Sequence, residues 1–232
     1  MASDSPGGVA GRSGSPLRVV VLLSGRGSNL DALIRKAGPF VIAAVVSNVA
    51  SAPGLKRATE AGIPTICLPH GEFSSRQGFE QALAQELHSL RPDLLVLAGF
   101  MRVLGSHFVR QFEGRMINIH PSLLPRYRGL HTHQRVLDAG DETHGASVHF
   151  VTAELDGGPV IAQVSMPVRA TDSAESLADR LLPLEHQLLT RVVLMFAKGQ
   201  LGYDNAQAIF DQAALAAPLR LQPDPAGTGA GG

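Results

Sequence analysis

The sequence is poor in several things, and each scarcity excludes a class of protein. It holds a single cysteine, Cys67, so neither an intrachain disulfide nor a cysteine-cluster metal site can be built. Its 20 Lys and Arg cancel its 20 Asp and Glu. That removes the electrostatic case for a nucleic-acid or anionic-membrane partner, and neither is expected. No apolar run approaches the roughly 20 residues a helix needs to span a bilayer. The amino terminus carries no charged-then-apolar leader, so the expected location is cytoplasmic. No internal repeat is visible. What the chain does have is 232 residues, 44% of them hydrophobic, enough to close a substantial core in one large domain or two small ones.

Residues 1–16 are rich in Gly, Ser and Ala and bury too little to offset the entropy of ordering, so a disordered tail is expected there. Residues 218–232 are rich in Pro, Gly and Ala, and disorder is expected after 217 as well. Between these ends the pattern alternates. Residues 18–23 form a continuous β-branched and apolar run, which reads as a strand buried on both faces. Residues 41–46, 64–68 and 94–98 repeat it. Helical spacing falls between them, at Leu30, Leu33 and Ile34, over 53–61, and at Phe79, Leu83, Leu87 and Leu90. The alternation predicts a parallel sheet covered by helices. Further on, 131–139 reads as a short helix, and 146–152 and 160–167 read as strands around a broad loop. Residues 173–198 are helical in pattern, with Pro183 expected to kink the helix or move its start.

The chemistry concentrates in residues 115–129, RMINIHPSLLPRYRG. Asn118 and His120 stand two apart on a strand, so both side chains project to one face, roughly 6–7 Å apart. An amide that donates to an oxyanion beside an imidazole that moves a proton suits acyl transfer. A lone His at a strand end is more often a structural residue, so this pair alone does not decide the matter. Gly25-Arg26-Gly27-Ser28-Asn29 joins a buried strand to a helix, where glycines and free N–H groups favour an anion. A dinucleotide site would place a third Gly where Leu30 stands and an acidic residue about 20 positions on. Ser47-Asn48 ends the next strand instead, so a single phosphate fits better than NAD, with a plain turn as the competing reading. Residues 97–104 lie just past a strand's carboxyl end and offer an apolar wall suited to a flat heterocycle, although ordinary core is the simpler local reading. Asp156 sits in the broad loop. Beside His120 its carboxylate would favour imidazolium and raise the histidine's pKa from about 6.5. His70, His88, His107, His131, His133, His144, His149 and His186 follow no metal-ligand spacing. His131 and His133, near Arg126 and Arg128, read as ordering or solvated groups.

Taken together these stretches resemble the glycinamide ribonucleotide formyltransferases, folate-dependent enzymes of purine synthesis. The likeness runs from about residue 18 to 201. It rests on LSGRGSNL at 23–30, LAGFMRVL at 97–104, INIHPSLLP at 117–125, GLHTH at 129–133, and GASVHFV at 145–151 through LDGGP at 155–159. The resemblance implies an α/β fold, with a Rossmann-like, mostly parallel twisted sheet flanked by helices and an antiparallel extension in the C-terminal half. It implies one formyltransferase domain at 17–201, divided into a phosphate-binding half at 17–115 and a catalytic and folate half at 116–201. A C-terminal extension at 202–232 follows. The implied cosubstrates are 10-formyltetrahydrofolate and glycinamide ribonucleotide, with no metal, in a monomer or homodimer.

By the same likeness Gly27, Ser28 and Asn29 hold the ribonucleotide phosphate through backbone N–H groups. Glu185 takes the ribose hydroxyls, beside Leu182, Pro183 and Leu184. Arg76 contacts the folate. Met101, Arg102, Val103 and Leu104, with Thr152, Ala153, Glu154, Leu155 and Asp156, cradle the pterin, with Asn118 adjoining. Asn118, His120 and Asp156 form the catalytic set. Three positions depart from the expected pattern. Arg26 stands in the phosphate loop in place of a small polar residue, Tyr127-Arg128-Gly129 replaces Tyr-Pro-Gly, and Pro183 adjoins Glu185. Relatives sharing the catalytic half supply the alternatives. Methionyl-tRNA formyltransferases carry an added carboxyl-terminal domain and formyltetrahydrofolate hydrolases an added amino-terminal one, and neither is expected here. A non-catalytic nucleotide-binding module on the same sheet is the alternative of a different class.

Overall fold

The computed structural model describes residues 15–223; the expectations for 1–14 and 224–232 lie outside the described residues. Leu17–Leu23 (β1) is apolar at every position except Arg18 and takes the middle of the sheet. Val19, Val21 and Leu23 enter one core cluster, and Val20 and Leu22 enter the other. That is the period-2 alternation of a strand covered on both faces. Phe40–Ser47 (β2) and Leu94–Leu97 (β4) flank it in parallel. Thr65–Cys67 (β3) lies parallel outside β2, and Met116–His120 (β5) parallel outside β4.

Helices Ser28–Ile34 (α1), Pro53–Glu60 (α2), Arg76–Leu90 (α3) and Ser106–Gln111 (α4) connect these strands. α3 and α4 cover one face through Phe79, Leu83, Phe108 and Phe112. The other face is covered by α1, α2, Thr132–Asp138 (α5) and Ala174–Ala197 (α6). After β5 the strand sense reverses. Thr143–Phe150 (β6) runs antiparallel to β5, and Val160–Pro167 (β7) antiparallel to β6. The expected fold class holds: a mostly parallel α/β sheet with an antiparallel extension.

Two expectations need correction. Pro183 does not move the start of α6, which begins at a capping box. Ser173 Oγ accepts the N–H of Ser176, and Ser176 Oγ accepts the N–H of Ser173. The helix runs through Pro183 to Ala197 because Leu177, Leu181, Leu184, Leu188, Val192 and Phe196 pin its inner side to the core. That burial offsets the roughly 3 kcal/mol an interior proline costs.

The second correction is at the carboxyl end. Leu201–Asp204 (β8), Gln207–Phe210 (β9) and Ala213–Ala214 (β10) form a small antiparallel sheet. Leu219–Arg220 (β11) then pairs in parallel with Ala162 and Gln163 of β7. Residues 219–220 are therefore strand, not disordered. Leu219 and Leu221 reach the core on either side of Arg220, a strand pattern too short to stand out from the surrounding Pro, Gly and Ala. Among the described residues no helix is long and apolar enough to cross a membrane.

Candidate active site

The parallel strands end together along one edge, and strand order reverses between β1 and β4, where open α/β sheets bind ligands. The strand ends are tied there. Ser24 N donates to Gly99 O at 3.0 Å, Met101 N donates to Ser24 Oγ at 2.8 Å, and Ser24 Oγ donates to Asn48 Oδ1 at 2.5 Å. A cleft of about 890 Å³ opens beside them. The two segments expected to cradle a pterin, 101–104 and 152–156, line opposite parts of it, together with Asn118 and His120. Met101, Val103, Leu130 and Leu155 leave an apolar rim more than half exposed.

Asn118 and His120 come to the cleft as neighbours on β5. Antiparallel pairing sets His149 of β6 directly across from Asn118. Asp156 arrives from the loop between β6 and β7, in the left-handed region at φ 48°, which Asp tolerates better than most residues. Gly158 lets that loop fold tightly, since a Cβ there would sit 1.9 Å from the Phe150 carbonyl oxygen. The Asp156 carboxylate then bridges two imidazoles. Oδ2 lies 3.5 Å from His120 Nδ1 and accepts Gly129 N–H at 2.8 Å, while Oδ1 lies 3.6 Å from His149 Nε2. His149 was not among the expected site residues. The signal that could have found it is register: once β5 and β6 pair, the residue opposite Asn118 must face the same cleft.

The hydrogen bonds fix the protons. His120 Nε2 donates to the Tyr127 carbonyl at 2.9 Å, leaving Nδ1 toward Asp156. His149 Nδ1 donates to the Phe150 carbonyl at 2.8 Å, so Nε2 accepts from Asn118 Nδ2 at 3.1 Å. One hydrogen of that amide remains for a ligand.

Burial lowers the pKa of Asp156's neighbour His120 below 6.5. The Tyr127 carbonyl and the Asp156 carboxylate pull it back up without winning. Asp156 does act in the expected raising direction, but desolvation of the cation outweighs one carboxylate at 3.5 Å, so the net shift is downward. Burial also pushes Asp156 up, but the Gly129 N–H and the neighbouring His149 and His120 rings leave its pKa below the ordinary carboxylate value. In the free protein the pair is thus a carboxylate facing a neutral imidazole near pH 7.

The two segments expected to hold the ribonucleotide also meet, through the packing of α1 on α6. Asn29 Nδ2 donates to Glu185 Oε2 at 3.4 Å. Burial raises Glu185 to about 7 against the lowering effect of that bond. Gly27 stands at φ 78°, with Gly54 Cα 2.7 Å from where its Cβ would lie, so the turn before Ser28 accepts only glycine. Leu182 and Pro183 lie partly exposed on α6, and Leu184 turns into the core. Arg76 does not line the cleft; its Nε donates to Glu80 Oε1 at 2.7 Å. Arg102, which does line it, rests over the Phe79 ring.

Comparison with known proteins agrees with this architecture. Residues 17–193 match the family described as formyl transferase. The chain is 50% identical over 189 residues to the phosphoribosylglycinamide formyltransferase of Escherichia coli K12, covering 80% of this chain and 89% of that protein. It is 41% identical over 202 residues to that of Haemophilus influenzae, covering 85% and 95%. The solved phosphoribosylglycinamide formyltransferase of Coxiella burnetii superposes with a TM-score of 0.86 at 48% identity, over 90% of this chain and all of that one. The chain belongs to the formyl transferase family, among its phosphoribosylglycinamide formyltransferases.

Proposed function

We propose that the cleft transfers the formyl group of 10-formyltetrahydrofolate to the amine of glycinamide ribonucleotide, with Asn118, His120 and Asp156 as the catalytic residues. The observation that carries this reading is their convergence, from a strand and a remote loop, on one apolar-walled cleft. The pterin lies against 101–104 and 152–156. The phosphate takes the N–H groups of Gly27, Ser28 and Asn29, and Glu185 takes the ribose hydroxyls. Arg76 meets the folate beyond the cleft after releasing Glu80.

The substrate amine attacks the formyl carbon, forming a C–N bond and moving the carbonyl electron pair onto oxygen. Asn118 donates its remaining Nδ2 hydrogen to that oxyanion. His120 exchanges the Tyr127 carbonyl for the oxyanion as the acceptor of its Nε2–H. The new negative charge adds to that of Asp156 and favours imidazolium, its Nδ1 proton taken up from solvent as the ligands bind, where the free enzyme favours neutral imidazole. Asp156 relays the proton lost by the attacking ammonium to the departing folate nitrogen, so the bond to the formyl carbon breaks with a neutral amine leaving. No residue forms a covalent intermediate.

The test is an absorbance assay of folate release with and without the ribonucleotide. Release that requires the amine and yields the formylated ribonucleotide supports the transferase. Equal release of formate without the amine would make the protein a hydrolase, and no release in either case would leave a binding module.

A further inference from the structure

We propose that Gln163 is a positioning residue for His120, through which the C-terminal strand β11 holds the catalytic loop. This rests on the role of His120 given above. Gln163 stands on β7, 98% buried, between β6 on one side and β11 on the other. Its side-chain amide gives one hydrogen to the loop that follows His120 and the other to Ser147 of β6, which itself holds that loop. Nε2 donates to the Leu124 carbonyl at 2.9 Å and to Ser147 Oγ at 2.9 Å. Ser147 Oγ in turn accepts Leu124 N–H at 3.0 Å and donates to the Ser122 carbonyl at 2.6 Å. Ser122 Oγ donates to the Arg126 carbonyl at 2.7 Å. The next residue is Tyr127, whose carbonyl receives His120 Nε2–H.

The same residue is held from outside. Its main-chain carbonyl accepts Leu221 N–H at 2.9 Å, and Arg191 Nη1 reaches the carbonyl of Gln222 at 2.7 Å. Hydrogen bonds joined by short covalent links therefore run from β11, through one buried amide, to Arg126, the residue before the carbonyl that sets the tautomer and tilt of the His120 ring. An apolar residue of equal size would fill the space but leave the Leu124 carbonyl without this donor. The fold of β7 does not need an amide there; the aim of the loop does.

The test is Gln163→Met, which keeps length and volume. The expected result is a fall in kcat of about 10- to 100-fold, as for a catalytic group displaced by about an ångström. KM for both substrates should stay within about twofold, because neither touches Gln163. NMR of the His120 ring, free of substrate, should change from a single Nε2–H tautomer to a mixture. Wild-type kcat and wild-type ring signals in a folded variant would overturn the proposal. If Gln163→Met does not fold, Leu221→Pro decides, since it deletes the outer N–H, with Leu221→Ala as the control for the core-packed side chain it also removes. A smaller loss of kcat with altered ring signals supports the proposal, and wild-type values of both overturn it. A wild-type protein without transfer activity would instead overturn the functional reading, which the ring signals test separately.

Discussion

Burial lowers the pKa of His120, the proposed catalytic histidine, and outweighs the carboxylate at 3.5 Å. Asp156 still acts on it in the raising direction. Asp156→Asn is expected to lower the His120 titration midpoint further, and to cut kcat by about 10²-fold or more while the protein stays folded. NMR titration of the ring and steady-state rates check both; a midpoint that rises would contradict the account. A second residue carries a pH dependence of stability. His144, 99% buried, shares a hydrogen bond with His133, Nε2 to Nδ1 at 2.9 Å, and burial lowers it to about 4, with the His133 charge adding to the effect. As pH falls below about 6.5, the unfolded chain takes a proton that the folded chain refuses. Stability is therefore full above the ordinary value and is lost on the way down to about 4, by on the order of 3 kcal/mol. Urea unfolding at about pH 7.5 and 5 should show this loss, and His144→Phe should flatten it. The placing of Asn118 and His120 side by side on β5 was legible because i and i+2 share a strand face. The ring's charge was not, because it depends on how much water the fold removes.

At the scale of elements, the loop between β6 and β7 is the part that brings remote chemistry to the cleft. It folds back only because Gly158 lets its backbone pass against Phe150. Gly158→Ala should displace Asp156, lowering kcat by about 10-fold or more and costing roughly 2 kcal/mol of stability; rates and a thermal melt check it. The long apolar strands and the helices between them were legible from period and composition. β8 to β11 were not: LGYD, QAIF, AA and LR lie in a stretch whose Gly, Asp, Asn, Gln and Pro residues break up any long apolar run. His149 was hidden for a related reason. Its strand was visible, but its place opposite Asn118 follows from pairing register, which no single segment encodes. Arg76 shows the converse: its place on α3 was readable, while its bond to Glu80 depends on which side chains the helix presents to each other in the free protein.

For the molecule as a whole, a sheet covered on both faces presents its carboxyl edge to ligands, and every expected catalytic residue reaches that edge. The α1–α6 contact joining Asn29 to Glu185 and the cleft containing His120 both belong to it. β1 and the inner side of α6 hold the frame, while the end of β5, the loops after β4 and β6, and Glu185 of α6 line the proposed site. If Asp156 works through His120, the two act as one unit, and their losses cannot multiply. The direct measurement is a double-mutant cycle in formyl transfer, comparing wild type, His120→Ala, Asp156→Asn and the pair. The account predicts a double variant no slower than about the worse single one. Losses that multiply in the double variant would show two independent residues and contradict it.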